Sequence, residues 1–135
     1  MEKKKYPTIM LIDDNEIDNL INQKMIEAAA ISERIYTNTG AKSGLEFLRN
    51  IEKTGMAEKI LPDLIFLDID MPLMDGFQFL DEFEKLSQLI KKTCQVIMLT
   101  SSTNPQDYNL SKKYPIIKMY LSKPLSLESI HEINV

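Results

Sequence analysis

Apolar residues in this chain fall into short runs that alternate with stretches of one-sided, helix-period patterning. Thr8 to Ile12 is the first run, cut off by Asp13-Asp14-Asn15, which can also cap the element that follows. From Glu16 to Ala30 the apolar residues Ile17, Leu20, Ile21, Met25, Ile26 and Ala29 recur at helical spacing. A weaker strand, Arg34 to Thr39, leads to a helix from about Ala41 to Ile51, with Leu45, Phe47, Leu48 and Ile51 giving the one-sided pattern. Gly55 and Pro62 bracket a linker. Leu64 to Asp68 is a continuous apolar run closing on a carboxylate, as suits a strand buried on both faces of a parallel sheet. Pro72 and Gly76 then break regular structure, and Phe77, Leu80, Phe83 and Leu86 mark a helix from Phe77 through Leu86 and toward Ile90. Gln95 to Thr100 reads as another buried strand. Asn104 and Pro105 are placed to open a helix to about Lys113, stopped by Tyr114-Pro115. Ile117 to Leu121 is a last strand, Lys123-Pro124 ends it, and Ser126 caps a final helix to about Ile133.

Five strands alternating with five helices predict an α/β fold, with a doubly wound parallel sheet and helices on both faces. At 135 residues the expectation is one domain spanning 1–135, with no output domain attached. A net charge of -4 argues against a general nucleic-acid surface, which needs clustered Lys and Arg. Cys94 is the single cysteine, so no intramolecular disulfide is expected; it should pack beside the strand Val96–Leu99. No apolar run is long enough to cross a bilayer, so no membrane insertion and a cytoplasmic setting are expected.

In such a sheet the strand ends share one edge, so Asp13-Asp14, Asp68, Thr100 and Lys123 should meet there. Three neighbouring carboxylates repel one another, and the usual remedies are a raised pKa or a hard divalent cation with oxygen ligands. Magnesium is the natural candidate. With a lysine opposite, the site directs positive charge at a spot beside Asp68, as an incoming phosphoryl group requires. Asp68 can then attack phosphorus to give an aspartyl phosphate, while Thr100 and Lys123 offer donors to the phosphoryl oxygens.

Four motifs stand in order and at matching spacing: Leu11-Ile12-Asp13-Asp14-Asn15, Leu67-Asp68-Ile69-Asp70-Met71-Pro72 with Met74-Asp75-Gly76, Met98-Leu99-Thr100-Ser101, and Leu121-Ser122-Lys123-Pro124. On these the chain resembles a response-regulator receiver domain of two-component signalling, from the first strand to the last helix. The resemblance implies a flavodoxin-like sheet of order 2-1-3-4-5 and Asp68 as the residue phosphorylated from a histidine kinase or histidine phosphotransfer protein. It implies magnesium held by Asp14, Asp68 and the Asp70 carbonyl, with Asp13 reaching the metal through water, and Thr100 with Tyr120 as the switch pair. The chain would then be no enzyme beyond its own phosphorylation and dephosphorylation. It would signal through protein contacts on the fourth helix, last strand and last helix, where Tyr108, Lys112, Lys118 and Tyr120 fall, to an unknown downstream protein or a second copy of itself.

The chain departs from that family at Ser101, where alanine is commoner, in the long stretch from Glu82 to Cys94, and at Tyr114-Pro115-Ile116, which lacks the usual glycine. A rival reading is a haloacid-dehalogenase-type phosphatase using Asp68 and Asp70, but there the nucleophile lies on the first strand and the acidic pair comes last. A dinucleotide- or P-loop module is disfavoured by the acidic, glycine-free turn Asp13-Asp14-Asn15-Glu16. His131, in the last helix, is expected at the surface, away from the pocket.

Overall fold

A computed structural model describes residues 4–55, 60–100 and 109–135. The strands are β1 (Thr8–Ile12), β2 (Arg34–Asn38), β3 (Leu64–Asp68), β4 (Gln95–Thr100) and β5 (Ile117–Ser122). The helices are α1 (Glu16–Ala29), α2 (Ala41–Thr54), α3 (Gly76–Phe83), α4 (Gln88–Thr93) and α5 (Leu127–His131), with a further helical stretch at 109–111. All strands pair in parallel, in the order β2-β1-β3-β4-β5. That is the expected doubly wound sheet with its central β3.

The continuous apolar runs are explained by two cores, one on each face, because successive side chains of a strand point to opposite sides. Met10, Ile12, Ile65, Leu67, Val96 and Met98 pack with Leu45 and Leu48 of α2, Phe79, Leu80 and Phe83 of α3, and Ile90 of α4. Ile9, Leu11, Leu64, Phe66, Ile97 and Leu99 pack with Ile26 of α1, Leu125 and Ile130. Cys94 is buried in the first of these cores, and burial pushes its thiol up to about 12, so it packs as an inert apolar residue.

Two parts of the chain differ from their sequence pattern. The helix predicted from Phe77 toward Ile90 is two helices. α3 stops at Phe83, and Ser87 in extended backbone accepts the Ile90 N–H through Oγ, which starts α4 afresh. This break accounts for the length of the Glu82–Cys94 stretch. The apolar positions of α1 also do not all face inward. Ile17, Leu20 and Ile21 are 67%, 55% and 43% exposed, whereas Asn19, Asn22 and Ile26 are buried. The predicted Asn104 cap and Pro105 start lie outside the described residues.

Candidate functional site

β1 is followed directly by Asp13, buried, and Asp14, exposed. Asp13 Oδ1 accepts the Asn15 N–H at 3.0 Å, and Asn15 Oδ1 accepts the Ile17 and Asp18 N–H groups at 2.9 and 3.1 Å. The acidic turn is thereby fixed to the start of α1. Asn19, one turn on, donates through Nδ2 to the Asp13 carbonyl at 2.9 Å and the Asn38 carbonyl at 3.4 Å, holding the end of β1 beside that of β2.

β3 delivers Asp68, buried, at the same edge. The chain then turns under it: the Gly76 N–H bonds the Ile69 carbonyl at 2.9 Å, and Asp75 caps α3 in a reciprocal pair with Gln78. A Cβ at position 76 would stand 2.7 Å from the Asp68 carbonyl oxygen, so only glycine lets α3 start this close to the strand.

Lys123 follows β5, its N–H bonded to the Thr100 carbonyl at 2.8 Å, which ties it to the end of β4. Its Nζ donates to Asp13 Oδ2 at 2.9 Å and to Asp18 Oδ2 at 3.0 Å, and lies 3.3 Å from Asp68 Oδ1. Burial alone would lower this ammonium, but the hydrogen bonds to Asp13 and Asp18 and the charge of Asp68 outweigh it and hold Lys123 above the usual lysine range. Asp68 is pushed up to about 6, first by burial and then by the charge of Asp13, with Lys123 pulling against both. Thr100 is buried at the end of β4.

Carboxylate oxygens of Asp13, Asp14 and Asp68 lie within 4.8 Å of one another. Three hard anionic ligands at one solvent-facing edge, with one of them destabilised as an anion, form a donor set that could bind a hard divalent metal. Asp70 is exposed and its carboxylate is not part of that cluster. Beside Asp14, a cavity of about 320 Å³ opens between Gly40, Lys42, Met71, Pro72 and Met74.

The structure therefore brings Asp13, Asp14, Asp68 and Lys123 together as expected and sets Thr100 at the adjoining strand end. Tyr120 is half-buried against the α2–α4 core, and His131 is exposed. Asp18 and Asn19 were missed. Asp18 sits three residues after the cap Asn15, a place where an acid is ordinarily credited to the helix terminus, and its lysine partner is 105 residues away.

The response regulator receiver domain family matches residues 9–134. The probable methanogenesis regulatory protein FilR2 of Methanothrix harundinacea is 30% identical over 123 residues, covering 90% of this chain and 75% of FilR2. The sensor histidine kinase CheAY of Helicobacter pylori is 31% identical over 120 residues, 89% of this chain and 13% of that protein. A two-component response regulator from Cytophaga hutchinsonii superposes with a TM-score of 0.83 at 28% identity, over 95% of this chain and 93% of that one. The fold agrees with that of the Cytophaga response regulator, and the phosphatase alternative finds no support among these matches. With the sheet and strand-end acids described above, a match over residues 9–134 makes this chain a member of the response regulator receiver domain family.

Proposed function

We propose that this protein is a phosphoacceptor of a two-component phosphorelay, taking a phosphoryl group onto Asp68 from a histidine kinase or histidine phosphotransfer protein. The observation that carries the reading is the buried Asp68 carboxylate, set between Asp13, Asp14 and the Lys123 ammonium at the end of the central strand, where burial and Asp13 raise its pKa to about 6. At neutral pH that group is mostly ionised and carries little of the usual solvent shell, as a nucleophile should. The relative inside a sensor histidine kinase supports the partner class.

The acidic cluster fits magnesium: Asp14, Asp68 and the Asp70 carbonyl would hold it, with Asp13 one water removed. When bound, the cation neutralises the acids and polarises the phosphoryl oxygens. Lys123 contributes a fixed positive charge beside Asp68, and Thr100 offers its hydroxyl to a second phosphoryl oxygen. Drawing Thr100 toward the phosphoryl group would bias the half-buried Tyr120 inward, so the last strand and last helix report the state of Asp68 to a partner or a second copy of this chain. Lys112 and Lys118 are exposed on that side; Tyr108 lies outside the described residues. The chemistry then stays on the protein's own aspartate, with no separate substrate turned over.

The partner class is tested with a histidine phosphotransfer protein carrying a labelled phosphohistidine, mixed with this chain and magnesium. Label should move to the chain within seconds to minutes and not to Asp68→Asn. Label retained on the donor across a panel of such proteins would contradict the phosphorelay role.

A further inference from the structure

Asp18 lies outside every motif that identifies the family, yet its carboxylate holds the pocket lysine. An ammonium has three N–H donors. Here three carboxylates surround it, Asp13 at 2.9 Å, Asp18 at 3.0 Å and Asp68 at 3.3 Å, so the nucleophile has the longest contact of the three. Nothing local draws Asp18 back to its own helix cap: the Asn15 N–H, the group an acid at this position reaches in a capping box, is already taken by Asp13 Oδ1 at 3.0 Å. Its side chain turns to Lys123 instead.

We propose that Asp18 is a positioning residue that competes with the phosphoryl site for Lys123, holding the ammonium toward α1 and so slowing phosphorylation of Asp68 and shortening the life of the product. This rests on the phosphoacceptor reading above. In the transfer, an Asp68 oxygen forms the bond to phosphorus, the bond from phosphorus to the donor breaks with its electron pair leaving on the donor, and Lys123 gives up no proton. The lysine serves by pairing with phosphoryl oxygens, and an N–H directed at another carboxylate is withheld from them. Asp13 is buried and fixed by Asn15, so it keeps its bond. Asp18 is partly exposed, so water can replace Lys123 there, and it is the contact that yields when phosphate arrives. Asp18 is a brake built from a partly solvated ion pair.

The test compares the parent with Asp18→Asn and Asp18→Glu, using acetyl phosphate and magnesium, with intact mass followed during formation of the adduct and again after donor removal. Asp18→Asn should form the adduct faster and lose it more slowly, each by about two- to fivefold, the span expected for a partly exposed ion pair. Asp18→Glu keeps the charge and should return both rates toward the parent. A mere loosening of α1 would slow formation and would not be rescued by charge. If the parent is phosphorylated and Asp18→Asn forms its adduct no faster, the brake is refuted while the phosphoacceptor reading stands. A parent that takes up no phosphoryl group refutes that reading and this one with it.

Discussion

Burial and the neighbouring Asp13 charge make Asp68 unwelcome as an anion, and this has a measurable sign. Its folded pKa of about 6 lies above the ordinary 3.8, so the folded state binds that proton more readily than the unfolded chain. Stability from this group is fully present below the lower value and is lost as pH rises through the upper one. The buried charge then costs up to about 3 kcal/mol. Without divalent cations, Asp68→Asn should therefore melt above the parent at neutral pH, and the gap should close on acidification toward pH 4. Parallel melting curves at every pH would show that Asp68 sits unstrained as an anion. Asp13, Asp14, Asp68 and Lys123 were legible because they stand at the ends of apolar runs or before a proline, and strand ends in a parallel sheet converge. Asp18 was not, since its role depends on a loop 105 residues distant.

Among the elements, α1 departs furthest from its sequence pattern. Apolar spacing gave its extent to within a residue, yet its inward face carries Asn19 and Asn22. The reason is polar demand at the site edge. Asn22 Oδ1 accepts the Leu125 N–H at 3.0 Å in a buried setting, tying α1 to the chain just after Lys123-Pro124. Replacing Asn22 with Ala strands that N–H and should cost about 1–3 kcal/mol, read as a lower midpoint in urea with little change in slope. A midpoint within error of the parent would mean that water or a backbone shift satisfies Leu125. Ile17, Leu20 and Ile21 face outward as a consequence. The split of α3 from α4 was hidden for a different reason: Leu86 continues the apolar spacing across the break, and only Ser87, read as a second cap, would have signalled it.

For the whole molecule, a parallel sheet with a core on each face follows from runs too apolar for a sheet with one wet face, with helices patterned to cover each side, whereas the strand order β2-β1-β3-β4-β5 was legible only through the family resemblance of the motifs. The same arrangement sets the acids of β1 and β3 and the lysine after β5 at one edge, although these residues come from distant parts of the chain. The proposed role of this edge is to receive a phosphoryl group on Asp68. The most direct measurement is intact mass followed by peptide mapping, after incubation with acetyl phosphate, with and without magnesium, on the parent and on Asp68→Asn. One added phosphoryl group is expected, dependent on the cation, mapping to Asp68 and absent from the variant. An adduct that persists in Asp68→Asn, or that forms equally well with the cation removed, would contradict it.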